Sequence, residues 1–214
     1  MGKTSRRDGP GIIAELIKWK LSLAVAFSSV TGYFLFSGRA GGDLSLVAAG
    51  VFLLAAGAAA LNQFTERKSD ALMERTMGRP LPAGKMNSLT ALMISGVLLA
   101  SGSLMLSFTG LLPLMLGLFN VILYNAVYTG LKKITTLAIV PGAIVGAIPP
   151  FIGYTAAGGA MKFKLGKPKF WQQVLAVVLV YAALMLFGVF KFNAADDILA
   201  VGLLITAALL IFDK

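Results

Sequence analysis

The chain contains no cysteine and no histidine among its 214 residues. Without cysteine there can be no disulfide and no thiolate metal site. Without either residue, zinc centres, histidine-ligated heme and acid–base catalysis by histidine are excluded. Any bound metal must therefore be a hard cation with oxygen ligands, and Mg²⁺ is the first expectation.

Charged residues are also scarce, at 13% of the sequence, whereas soluble domains carry about 25%. Hydrophobic residues make up 57% of the chain and the mean hydropathy is +0.84. The apolar runs are long enough to cross a bilayer. We therefore predict an all-α integral membrane protein, a single helical domain over 1–214 with about seven spans, near 21–37, 44–62, 89–108, 110–128, 134–157, 170–190 and 197–212.

Acidic residues number only nine against nineteen Lys and Arg, which gives a net charge of +10. In this chain the positive residues lie between spans, where orientation and anionic lipid headgroups account for them. We expect membrane lipid as a partner and no nucleic acid. Their distribution predicts a cytoplasmic N-terminal tail at 1–20 and a cytoplasmic loop at 63–88, in a bacterial-type inner membrane.

The segment 162–169 does not follow this topology, because it places four lysines on the expected outer side. One explanation is that 134–157 does not fully cross, since Pro141, Pro149 and Pro150 are expected to break its helix and allow a re-entrant segment. The other is that a span is missing from this chain. Charge alone leaves both explanations open.

The most informative segment begins at the end of the second span. Asn62, Glu66, Asp70 and Glu74 follow one another at four-residue intervals, so they form one polar stripe on a helix. Asn62 lies inside the apolar run, where a polar residue is costly and usually functional. We expect Pro80 and Pro82 to end this helix.

Two carboxylates and an amide on one face are suited to Mg²⁺, which in turn bridges phosphate oxygens. The candidate metal ligands are Asn62, Glu66 and Asp70. Arginine and lysine side chains nearby could neutralise a diphosphate, and the candidates are Arg67, Arg75, Arg79, Lys132 and Lys133. A diphosphate at the membrane surface with a cavity among the helices predicts an isoprenyl diphosphate ligand.

The stripe and the segment DALMERTMGRPLPAG resemble the signature of the protoheme IX farnesyltransferases, or heme O synthases, in the UbiA superfamily of intramembrane prenyltransferases. The segments ELIKWKLSLAVAFSSVTGYFL and VYTGLKKITTLAIVPGAIVGAIPPFIGY extend the resemblance over residues 12–158. It implies a UbiA-type helical bundle that transfers a farnesyl group from farnesyl diphosphate to a vinyl group of protoheme IX (heme b). Water addition then gives heme O.

The resemblance also implies roles for individual residues. Asn62, Glu66 and Asp70 would hold Mg²⁺, and the arginines and lysines would stabilise the departing diphosphate. Tyr128 would contact the diphosphate or the reacting carbon. We therefore expect Asp70, Glu66, Asn62 and Tyr128 to be the catalytic residues.

The family has a second acidic motif on a later helix and about nine spans, and neither is found in this sequence. Asp196 and Asp197 are more simply a helix N-cap, and 158–169 is the expected junction of a missing segment. Other readings are prenyl transfer to a quinone precursor or another lipid acceptor, and a diphosphate-binding membrane protein without turnover. A small transporter is less favoured, since the stripe ends a span rather than occupying the midplane.

Overall fold

The computed structural model describes residues 9–159, and all regular secondary structure in this range is helical. The elements are α1 (Gly9–Leu16), α2 (Trp19–Ser37), α3 (Leu44–Asp70), α4 (Ser88–Ser107), α5 (Leu111–Ile122), a π-helical segment (Leu123–Tyr128), α6 (Thr129–Leu131), a 3-10 turn (Thr136–Ala138) and α7 (Ile139–Ala156).

Five helical segments are long and apolar enough to cross a membrane, with α5, the π-helical segment and α6 forming one of them. Many large apolar side chains are exposed, such as Phe27 at 69% and Leu111 at 74%, as expected of surfaces that contact lipid. The predicted helical membrane fold is thus confirmed, with five of its spans. The predicted spans 170–190 and 197–212 lie outside the described residues, as do Asp196, Asp197 and the lysines of 162–169.

Local signals fix two of the helix ends. Gly38 adopts the left-handed conformation (φ 65°) and its N–H donates to the Phe34 carbonyl at 2.9 Å, which ends α2. The Asn87 side chain accepts a hydrogen bond from the N–H of Leu89 at 2.9 Å, which begins α4.

Helix α3 is eight residues longer than the predicted span, so residues 63–70 are helical and the loop occupies 71–87. Two basic residues in the last turn suit the negative end of the helix dipole. The helix stops before Glu74, which is exposed in the loop and therefore does not extend the stripe. The prediction that Pro80 and Pro82 end this helix is also wrong, because it ends ten residues before Pro80.

The predicted tail at 1–20 contains α1. Leu16 is fully buried against a small apolar cluster with Ala60, Leu81 and Ala91. The Gln63 side-chain nitrogen donates to the carbonyls of Glu15 (2.9 Å) and Leu16 (3.0 Å). We call this pair of hydrogen bonds the Gln63 clamp; it fastens the C-terminal turn of α1 to α3.

Helix α7 is continuous through its prolines, so the predicted break is wrong. Its 18 residues extend about 27 Å at the usual helical rise, close to the thickness of a bilayer core. Pro141 lies in the first turn, where no intrahelical donor is required. Pro149 and Pro150 lie in the interior and remove the donors that the carbonyls of Val145 and Gly146 would normally meet.

Tight packing against α2 supports this part of α7. A methyl group added at Gly32 would overlap the carbonyl of Pro150, and one added at Gly153 would overlap the carbonyl of Ser29. The two backbones approach closely because both contact positions are glycines. Beside this contact lies the main apolar core, formed by Tyr33, Val47, Val51, Leu54, Leu106, Ile148, Ile152 and Ala156.

Candidate functional site

A cavity of about 800 Å³ lies among α2, α3, α5 and α7, a volume typical of sites for organic ligands. Its deep part is mostly apolar, with Val25, Val51, Leu54, Ala55, Val121 and Ile152 in the wall. Near the C-terminal end of α3 the cavity is lined by charged side chains. One end therefore suits a hydrocarbon and the other an ion.

Glu66 occupies the charged end and is only 4% exposed. One of its carboxylate oxygens lies 2.7 Å from the Lys132 ammonium nitrogen, and the other lies 3.4 Å from that of Lys133. The two lysines follow α6, so tertiary packing brings them to α3. Charge-assisted contacts of this kind hold the Glu66 carboxylate between α3 and the segment that follows α6.

Asp70, the last residue of α3, forms an ion pair with a residue of the loop that follows this helix. Its carboxylate lies 2.6 Å from the Arg79 guanidinium nitrogen, and the side chain is 2% exposed. The hydroxyl of Thr76 donates to the Asp70 carbonyl at 2.9 Å and folds the loop back onto the end of α3. This places Arg79 at the cavity.

Asn62 lies one turn deeper, where its side-chain nitrogen donates to the Thr129 hydroxyl at 2.8 Å. That hydroxyl donates in turn to the Tyr124 carbonyl at 2.8 Å, within the π-helical segment. A π-helical turn often marks a functional site. Here the rings of Tyr124 and Tyr128 stack with centroids 5.8 Å apart, and both tyrosines line the cavity.

The structure brings most of the predicted site residues to this cavity, namely Asn62, Glu66, Asp70, Arg75, Arg79, Tyr128, Lys132 and Lys133. Arg67 is the exception. Its guanidinium donates to the Phe64 carbonyl at 2.6 Å and lies 4.3 Å from the centre of the Phe64 ring. Because Arg67 follows Glu66 directly on the helix, its side chain leaves on a different face.

Sequence reasoning missed Lys18, which also lines the cavity. Among the described residues other than glycine, only Lys18 has a positive φ, at 47°. Burial, followed by the positive charges of Arg79 and Lys132, lowers the pKa of Lys18 to about 8. In the sequence it is one of several basic residues before the first span, and no local pattern distinguishes it.

The oxygen donors are consistent with Mg²⁺. Within residues 9–159 no three or more acidic side chains come together as a metal cluster. Mg²⁺ is commonly bound by one or two carboxylates together with substrate phosphates. Glu66 and Asp70 supply two carboxylates, and Asn62 has an amide oxygen left after its nitrogen is used.

Positive charge exceeds negative charge at the cavity. Two carboxylates, Glu66 and Asp70, line the described part of its wall. Six cations accompany them: Lys18, Lys68, Arg75, Arg79, Lys132 and Lys133. The excess suits a polyanionic ligand, since clustered charge of one sign in a cleft attracts the opposite charge.

Comparison with known sequences gives the family. The UbiA prenyltransferase family matches residues 23–212, most of the chain and well past residue 158. The chain belongs to the UbiA prenyltransferase family. Within the family it is similar to the protoheme IX farnesyltransferase of Geobacter sulfurreducens, with 43% identity over 145 residues, 68% of this chain and 54% of that protein. Its similarity to the protoheme IX farnesyltransferase of Christiangramia forsetii is 38% identity over 168 residues, 74% of this chain and 54% of that protein.

The resemblance predicted from the stripe is therefore confirmed. The chain spans about half the length of these curated relatives. Among solved structures it is similar to a UbiA homologue from Archaeoglobus fulgidus bound to GPP and Mg²⁺, with a TM-score of 0.61 over 94% of this chain and 85% of that one. At 14% identity, this similarity concerns the UbiA fold.

Proposed function

We propose that this protein is a Mg²⁺-dependent prenyltransferase that transfers the farnesyl group of farnesyl diphosphate to protoheme IX and so forms heme O. The observation that carries the proposal is that one cavity has paired carboxylates and excess cations at one end and apolar walls at the other. Such a cavity can hold the diphosphate and the isoprenoid chain of one molecule.

In this proposal Arg75, Arg79, Lys132 and Lys133 bind the diphosphate, while Asn62, Glu66 and Asp70 hold Mg²⁺. Bound Mg²⁺ would supply Lewis-acid stabilisation of the negative charge on the leaving group. The four cations would act on the same charge as hydrogen-bond donors to the diphosphate. They therefore favour breaking of the bond between the first farnesyl carbon and its oxygen, with the electron pair leaving on the diphosphate.

The allylic cation produced in this step would be attacked by the π electrons of the heme vinyl group. Water then adds to the resulting cation and releases a proton, which completes the hydroxyethylfarnesyl group. Tyr124 and Tyr128 line the cavity beside the charged end, and aromatic faces attract cations. The apolar wall limits access of water until the new carbon–carbon bond has formed.

The proposal of heme b as the prenyl acceptor rests on the named relatives, whereas the cavity supports the proposal of a prenyl diphosphate as the donor. Two of the relatives most similar in sequence are protoheme IX farnesyltransferases. We further propose that the protein lies in a bacterial-type inner membrane with its charged cavity end toward the cytoplasm. The excess of basic residues around that end supports this orientation.

The proposal is tested with membranes containing the wild-type protein, supplied with farnesyl diphosphate, heme b and Mg²⁺. We expect heme O in the extracted pigment and at least about a hundredfold less with Asp70→Asn, which preserves side-chain size but removes the charge. Glu74→Gln is the matched control, since Glu74 is exposed in the loop and should not affect the yield. No heme O from the wild type, or equal yields from Asp70→Asn, would refute the proposal.

A further inference from the structure

Lys18 is placed differently from the other basic residues of the N-terminal segment. It lies between α1 and α2 with a backbone conformation (φ 47°, ψ 53°) that residues with a side chain seldom adopt. Such conformations persist where surrounding structure holds them in place, and they concentrate at functional sites. The Gln63 clamp stabilises the backbone conformation of Lys18, because it binds the carbonyls of Glu15 and Leu16 just before the turn.

The turn directs Lys18 into the charged end of the cavity. It lies within electrostatic reach of Arg79 in the loop after α3, of Lys132 after α6, and of Glu66 and Asp70 on α3. Those four groups pair with one another, and no carboxylate in residues 9–159 forms an ion pair with Lys18. A partly buried ammonium group beside two other cations is unfavourable without an anionic ligand.

We propose that Lys18 is a further ligand of the diphosphate, held at the cavity by the left-handed turn between α1 and α2 and by the Gln63 clamp. This inference rests on the proposed function and deepens it. Lys18 contributes an ammonium group at the cavity because the turn between α1 and α2 directs its side chain there. Gln63 is a positioning residue that acts through Lys18.

Proton uptake follows from this placement. Because burial and neighbouring cations lower the pKa of Lys18 to about 8, a fraction of the molecules carry a neutral Lys18 above that pH. A bound diphosphate favours the charged form. The contribution of Lys18 to diphosphate affinity should therefore be full well below pH 8 and should be lost as the pH rises through about 8.

The test uses the full chain in neutral detergent, with inorganic diphosphate and Mg²⁺ as the probe and calorimetry as the measurement. Lys18→Met should weaken binding about tenfold, the usual value of one charge-assisted contact. Lys18→Arg should preserve binding, and the affinity of the wild type relative to Lys18→Arg should fall from pH 7 to pH 9.5, since both proteins meet the same ionisation of the probe. Lys20→Met is the matched control, because Lys20 is exposed and lies over the Trp19 ring.

A double-mutant cycle tests the clamp. Gln63→Leu alone should weaken binding, whereas adding it to Lys18→Met should have little further effect, because residues that act as a unit are not additive. Additive losses would show that Gln63 does not act through Lys18. Unfolding temperatures of all variants, measured in parallel, separate loss of fold from loss of binding.

Each failure has a distinct meaning. If the wild type binds no Mg²⁺–diphosphate, the proposed function itself fails. If the wild type binds and Lys18→Met binds equally well, only the role of Lys18 is overturned. Lipid headgroups carry the same phosphate chemistry, so the titration is repeated with phosphatidylglycerol. A Lys18→Met effect confined to competition by that lipid would assign Lys18 to the membrane and overturn the inference.

Discussion

Both carboxylates at the charged end of the cavity already have counter-ions. Glu66 is held by Lys132 and Lys133, and Asp70 by Arg79, at distances typical of ion pairs. In the proposed function these carboxylates would hold Mg²⁺ and the same cations would contact the diphosphate. Such an exchange of partners would keep every buried charge paired, and an uncompensated buried charge is costly.

Two arginines of the 62–84 segment, Arg67 and Arg79, distinguish the site from its surroundings. Arg79→Met should weaken Mg²⁺–diphosphate binding about ten- to a hundredfold, the range for hydrogen bonds to charged groups. Arg67→Met should leave it nearly unchanged, because Arg67 is bound to the Phe64 carbonyl and does not line the cavity. Calorimetric titration with inorganic diphosphate compares the two directly. Equal losses would mean that Arg67 does reach the ligand.

At the level of helices, the contact between α2 and α7 is the tightest one described. Gly32 and Gly153 each face a carbonyl of the other helix at a distance that leaves no room for a methyl group. The contact lies beside Pro149 and Pro150, where α7 has lost intrahelical hydrogen bonds. Close backbone packing therefore stabilises the helix where its own bonding is weakest.

Gly153→Ala should lower the unfolding temperature in detergent, since overpacking of this kind costs about 1–3 kcal/mol and the opposing atom is backbone. Gly96→Ala on α4 is the control. Its added methyl group meets no atom within 4 Å and alanine is the better helix former, so stability should be unchanged or slightly higher. A Gly153→Ala protein as stable as the wild type would show that α7 can shift away from α2.

Sequence patterns predict those structural features that depend on residues close together in the sequence. The spacing of Asn62, Glu66 and Asp70 is a local property of a helix, and all three line the same cavity. The end of α3 was misplaced because it depends on the loop folding back through Thr76. The conformation of Lys18 escaped prediction because the Gln63 clamp joins residues 48 positions apart.

For the molecule as a whole, orientation in the membrane is the property that the charges predict most directly. The loops at the two ends of α3 lie about 40 Å apart at the usual helical rise. Arg39 occupies the loop before it and Lys85 the loop after it. The chain has no cysteine, so a single introduced thiol reports one position without interference.

We expect Lys85→Cys to react with a membrane-impermeant maleimide only after the cells are opened, and Arg39→Cys to react in intact cells. This expectation follows from the proposed orientation, in which the positive residues and the charged end of the cavity face the cytoplasm. Labelling after extraction into detergent serves as the control for reactivity of both positions. The reverse pattern in intact cells would invert the proposed orientation.

The cavity has six cations and two carboxylates in its described wall, and in the proposed function this imbalance has a consequence for turnover. Charges that attract the diphosphate of the substrate also retain the inorganic diphosphate after the prenyl chain has left. The product loses the apolar anchor but keeps all of its electrostatic contacts. Its departure, rather than bond breaking, is then expected to limit the rate, as product release does in many enzymes. Hydrolysis of the released diphosphate would draw the proposed cycle forward.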